Sequence, residues 1–174
     1  MKLTVFDSHR IIAAGTVAEI AAAMQAAEAG GRSVLALDDT TGRVVDLDLR
    51  GSPSEVAERH TEPPRRGRPR LGVTSREVTL LPRHWDWLAD QRGGASAALR
   101  RLVELAMRDG SASDTRARNA AYAAATALGG DLPGYEDAMR ALFAGDLPDL
   151  AARIVDWPAD LRGYVLRLAR APGA

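Results

Sequence analysis

The strongest constraint on this chain is the stretch from residue 61 to residue 75, which neither a helix nor a sheet interior can accommodate. Pro63, Pro64 and Pro69 each remove a backbone donor and fix φ, while Gly67 and Gly72 add backbone freedom that a regular element has to surrender. Arg65, Arg66, Arg68 and Arg70 occupy much of what is left. The sequence therefore predicts an extended basic arm or linker with folded structure on either side.

Residues 1–60 read as a small α+β unit. Two short strands are predicted over residues 3–6 and 10–14, with Asp7-Ser8-His9 as the turn. Thr16-Val17-Ala18-Glu19 has the form of a capping box, in which the Thr and Glu side chains satisfy free N–H groups at a helix start. Val17, Ile20, Met24 and Ala27 then follow on one helical face until Gly30-Gly31. A hairpin over residues 34–37 and 44–49 is predicted around Asp39-Thr40-Thr41-Gly42. On its second strand Val45, Leu47 and Leu49 alternate with Asp46, Asp48 and Arg50, giving one buried and one wet face. Ser52-Pro53-Ser54-Glu55 opens a further helix.

Beyond the arm, residues 76–81 predict a short strand. Pro82 opens a helix to about Gln91, Gly93-Gly94 breaks it, and a second helix runs over residues 96–108 with Leu99, Leu102, Val103 and Ala106 as its apolar stripe. The last third is helical, with segments predicted over residues 117–128 and, after Trp157-Pro158, over residues 159–169. Gly-Asp-Leu-Pro occurs twice there, at residues 130–133 and 145–148, and is read as repeated cap chemistry with Asp as the N-cap. Aromatic residues make up only 5% of the chain, so its cores have to be built from Leu, Val and many alanines.

Formal net charge is zero, but its distribution is uneven: −3 over residues 1–61, +5 over 62–108 and −2 over 109–174. Lys2 is the only lysine, so arginine abundance by itself marks no function. The absence of cysteine excludes disulfides, thiolate metal sites and a cysteine nucleophile. No apolar run approaches a membrane span, and no signal peptide pattern precedes the first predicted strand, so no membrane partner is expected and the cytoplasm is the expected location.

Arg66-Gly67-Arg68-Pro69 resembles the core of the AT-hook. In that motif glycine lets the backbone lie deep in a narrow minor groove, proline keeps it extended, and arginines reach into the negative potential over A·T tracts. Residues 76–108 resemble the ribbon-helix-helix family, in which two chains pair strands into a ribbon for the DNA major groove and the helices form the dimer core. That resemblance places Trp85 and Leu88 on the inner face of the first helix and Ser96 as the cap of the second, at a phosphate. It also puts Arg76, Val78 and Leu80 at the groove-facing strand positions, and two of those three are apolar here. Either the strand is rotated to expose Glu77 and Thr79, or the scaffold serves to fold or dimerise rather than to read bases.

Asp39-Thr40-Thr41-Gly42-Arg43-Val44-Val45-Asp46-Leu47-Asp48-Leu49-Arg50-Gly51, Gly67-Arg68-Pro69 and Glu77-Val78-Thr79-Leu80-Leu81-Pro82-Arg83-His84-Trp85 are similar to an uncharacterised bacterial family, domain of unknown function 2239, along the whole chain. That likeness implies no activity and no catalytic residues.

Other constellations point away from catalysis. Asp38, Asp39, Asp46 and Asp48 gather around the predicted hairpin, but their spacing fits no calcium loop. His84, beside Trp85 and Trp87, is read as the wet side of a first helical turn, and Tyr122 and Tyr164 as packing residues. There is no nucleophile elbow, phosphate-cradling glycine loop or zinc-helix motif. No enzyme, cofactor or metal is therefore expected.

The fold expected is α+β: a sheet-plus-helix domain (1–60), a basic linker (61–75), a ribbon-helix-helix-like segment (76–110) and a helical C-terminal region (111–174). The expected function is nucleic-acid binding, with double-stranded and A·T-rich DNA as the target, a homodimer as the assembly, and a regulatory or architectural role. Arg65, Arg66, Gly67, Arg68, Pro69 and Arg70 form the expected contact. Arg76, Arg83, Arg100 and Arg101 are secondary phosphate contacts, with Arg100 and Arg101 equally readable as solvated helix residues. The alternative is a non-catalytic interaction or dimerisation module in which the strand at 78–81 pairs with another chain.

Overall fold

The computed structural model describes residues 1–60, 76–108 and 111–170. The predicted arm, with Arg65, Arg66, Gly67, Arg68, Pro69 and Arg70, lies outside the described residues. Contacts divide the chain into two compact units, residues 1–62 with 113–174 and residues 63–112. The sheet-bearing segment and the C-terminal helices thus belong to one unit.

The first unit is mixed α and β, as expected. Strands β1 (Leu3–Asp7), β2 (Arg10–Gly15), β3 (Val34–Asp38) and β4 (Val44–Val45) form an antiparallel sheet in the order β2-β1-β3-β4. Side chains alternate across its pleat. Leu3, Val5 and Ala36 join a core with Ile20, Ala21 and Met24 of α1 (Val17–Ala29) and Val56 of α2 (Pro53–His60). Phe6 and Leu37 point the other way, into a core built by α5 (Ser111–Gly129), α6 (Tyr135–Ala144), α7 (Leu147–Arg153) and α8 (Ala159–Ala169). Helices therefore cover both faces of the sheet.

The predicted capping box at Thr16 forms, and the helix start predicted at Ser52 makes the same kind of bonds. The Glu19 carboxylate accepts from the Thr16 N–H at 2.7 Å and the Thr16 hydroxyl at 2.9 Å, and Glu55 accepts from the corresponding groups of Ser52 at 2.7 and 2.8 Å. These bonds hold both glutamate carboxyls below their usual range, backbone donation being the larger cause.

Two local expectations are corrected. The strand predicted over residues 44–49 ends at Val45. Past that point side chains from the helices replace the ladder: Gln25 Nε2 donates to the Leu49 and Gly51 carbonyls at 2.7 and 2.8 Å, and Arg59 donates to the Asp48 and Arg50 carbonyls at 2.7 and 3.0 Å. Leu47 stays buried while Asp46 does not, so the alternation outlasts the strand. Of the two Gly-Asp-Leu-Pro copies, only the second caps a helix, with Asp146 accepting from the Asp149 N–H at 2.9 Å. In the first copy Gly134, at φ 76°, follows the proline and becomes the N-cap of α6, while the Pro133 carbonyl accepts from the Trp157 indole at 2.9 Å.

The second unit contains α3 (Pro82–Ala89) and α4 (Gly94–Arg108). Residues 76–81 form no strand, because no described segment of the same chain supplies a ladder partner. Gly93 and Gly94, both at positive φ, turn the chain so tightly that α4 starts two residues earlier than the sequence predicts. Ser96 therefore lies within the helix rather than at its cap.

Candidate nucleic-acid interface and a polar node

Helix α3 rises about 12 Å and α4 about 22 Å at 1.5 Å per residue, so the shorter helix cannot cover the longer one. Burial follows that mismatch. Leu88 and Ala98 are enclosed where the helices meet, whereas Leu102, Val103, Leu105 and Met107 on the far half of α4 are exposed. Trp85, expected on the inner face of α3, is 41% exposed, because a pair of helices encloses only one line of contact and Leu88 takes it. Leu80, His84, Trp87, Leu88, Leu99 and Leu102 line an apolar hollow of about 280 Å³.

Among the expected secondary contacts, Arg76, Arg83, Arg100 and Arg101 are all exposed. Arg100 and Arg101 share α4, and helical spacing gathers them with Glu104 on a single arc, opposite the one that holds Leu102, Val103 and Ala106. Arg100 Nε donates to the Ser96 carbonyl at 3.1 Å, which lays its stem along its own helix. Helix α4 is thus two-faced: one arc is charged and the other is bare apolar surface.

A second feature, with no counterpart in any sequence motif, joins the sheet to α8. Asp39, at the end of β3, accepts from the Thr4 hydroxyl at 2.7 Å and from the Tyr164 hydroxyl at 3.1 Å, both on Oδ1. Its Oδ2 lies 3.5 Å from Arg167, whose other terminal nitrogen donates to the Thr4 hydroxyl at 3.4 Å. The Arg167 guanidinium also sits 4.9 Å from the centre of the Tyr164 ring, a cation–π contact. Tyr164 is almost wholly enclosed, edge-on to Phe6. Burial, and next the Asp39 charge, push its hydroxyl above the ordinary tyrosine range, so it stays protonated and donates.

The β3–β4 turn carrying Asp39 is fixed in place. Asp38 Oδ1 accepts from the Thr40 and Thr41 N–H groups at 2.6 and 3.2 Å, and Gly42 lies against the carbonyl of Ala120 on α5. Cavities open on both sides of that turn. One, of about 450 Å³, is lined by Asp39, Thr40 and Ser113, by the apolar Ala117, Ala120 and Leu168, and by Arg116, Arg167 and Arg170.

The hairpin acids do not converge. Asp48 pairs with Arg50 at 2.8 Å and Arg59 at 3.2 Å, and the Arg50 hydrogen bond holds its carboxyl far below the usual range. Among the described residues, no three His, Asp or Glu side chains gather into a metal-binding group, and no helix is long and apolar enough to cross a membrane.

A family model described as an uncharacterised protein conserved in bacteria (DUF2239) matches residues 2–169. No curated protein and no solved structure matches the chain.

Proposed function

The chain belongs to that bacterial family, DUF2239, and we propose that it is a nucleic-acid-binding protein that acts on double-stranded DNA in a regulatory or architectural role. The two-faced α4 carries this reading. A second copy placed on the bare arc of Leu102 and Val103 leaves Arg100 and Arg101 outward, toward phosphates. The unpaired segment 76–81 is then free to pair with its counterpart in the other copy, and the arginine arm adds Arg65, Arg66, Arg68 and Arg70 to a region whose net charge is +5.

The test is fluorescence anisotropy of labelled A·T-rich and G·C-rich duplexes at low and at physiological salt. Salt-sensitive binding with a preference for A·T-rich DNA is expected. Replacing Arg66 and Arg68 with alanine should weaken binding and flatten the dependence of log K on log salt by about 0.9 for each phosphate no longer neutralised. An unchanged slope removes the arm from the interface, and no binding at low salt defeats the proposal.

A second reading follows from the exposed apolar surface alone: unit 63–112 pairs two chains and touches no nucleic acid. A dimer that binds neither duplex would establish it in place of the first.

A further inference from the structure

Independently of any duplex contact, we propose that the second cavity beside the β3–β4 turn, a groove of about 610 Å³ along α5, binds an adenine base stacked on Tyr122. The volume falls in the range of small-molecule sites, about 300–1,000 Å³. Thr40 and Arg43 of the turn and Asn119 and Tyr122 of α5 supply polar and aromatic groups, and Ala120 and Ala123 a low apolar surface.

The ring comes first. In unit 1 Phe6, Trp157 and Tyr164 are buried, whereas Tyr122 and Phe143 are held at the surface with their ring centres 5.4 Å apart. Phe143 braces the Tyr122 ring, and the Thr126 hydroxyl donates to the Tyr122 carbonyl at 2.8 Å. The ring is therefore positioned before a ligand arrives, which lowers the cost of ordering it. Every base has a π-face that can stack on such a ring. The alanines carry only methyl groups and leave room beside it.

Stacking selects a planar ring, and Asn119 selects the base. Asn119 lies three residues before Tyr122, so the two side chains are neighbours on α5. Its carboxamide is exposed and has no hydrogen-bond partner among the described residues. One donor beside one acceptor complements the amino group and N7 of adenine, whereas guanine offers two acceptors on that edge and cytosine an amino donor. Arg43 makes no ion pair among the described residues, and its donors together with the Thr40 hydroxyl suit the hydroxyl groups of a ribose. Arg116 also borders the groove, but it has a partner of its own and takes no part.

The test uses the full chain with adenosine as probe, read by isothermal titration calorimetry and by the ligand-dependent rise in Tm. Saturable binding is expected, with guanosine and cytidine at least about tenfold weaker and ribose 5-phosphate weaker still. Tyr122→Leu keeps an apolar side chain at an exposed position but removes the stacking face, and it should weaken adenosine binding about tenfold. Asn119→Ala should bring adenosine down to the affinity of the other nucleosides. Circular dichroism of both variants checks that the fold is intact. Adenosine monophosphate and a single-stranded oligodeoxyadenylate separate the two sources of such a base. Equal affinity for the two would assign a free nucleotide, and tighter binding of the oligonucleotide a single strand, either of which upholds the groove. No saturable binding of adenosine, equal binding of ribose 5-phosphate, wild-type affinity in Tyr122→Leu, or an unchanged base preference in Asn119→Ala would overturn the assignment. None of these outcomes bears on duplex binding by the arginine arm.

Discussion

Replacing Gly42 with alanine is expected to destabilise unit 1 by roughly 3 kcal/mol or more, from two costs that compound. Gly42 has φ 66°, where an L side chain is strained. In addition, its new Cβ would overlap the Ala120 carbonyl oxygen and lie only 2.7 Å from the carbonyl carbon. Those atoms belong to the backbone of a 19-residue helix, so the neighbour cannot swing aside as a flexible side chain would. Gly31 provides the control. It has a similar φ of 70° but nothing within 4 Å of an added methyl, so Gly31→Ala carries the conformational strain alone, about 1 kcal/mol. Urea unfolding followed by circular dichroism measures both. Equal losses at the two positions would mean that the turn lifts off α5 at little cost, and the anchoring of Asp39 would lose its basis.

How much a sequence can show depends on how far apart the partners are. The helix starts at Thr16 and Ser52 are legible because donor and acceptor are three residues apart and the chemistry is local. The alanine face of α5, Ala117, Ala120, Ala121, Ala124 and Ala125, is legible only as a helix. Its role is to let other backbone approach, and Gly42 makes use of that, but small side chains do not announce what will lie on them. Asp39 reads in sequence as one of four acids around a hairpin. Its partners Thr4, Tyr164 and Arg167 are 35, 125 and 128 residues away, so no window of sequence contains the node. Arg167 sits within a helix that the sequence predicts, and nothing local distinguishes it from a solvated residue. The shortened β4 has the same cause, since Gln25 and Arg59 take over its hydrogen bonds from other elements. In the second unit the pattern of apolar positions on α4 is legible, whereas the failure of α3 to cover them follows from relative helix length and becomes visible only in three dimensions.

Replacing Leu102 with glutamate is expected to convert a dimer into a monomer and to lower DNA affinity by roughly a hundredfold, the loss of two-site attachment. In the single chain Leu102 is 45% exposed, so a carboxylate there can remain in water and the α3–α4 pair should keep its helicity. In a symmetric dimer the same carboxylate is buried twice, once from each copy, and an unpaired buried charge costs several kcal/mol each time. The variant therefore acts on association far more than on folding. Sedimentation velocity reports the mass, circular dichroism the helicity, and anisotropy the DNA affinity. A monomeric wild-type chain would refute the pairing of α4 outright. If Leu102→Glu is monomeric yet binds duplex as tightly as the wild type, pairing and DNA binding are separate properties. The arginine arm then carries the affinity alone, and α3 and α4 serve only to bring two chains together.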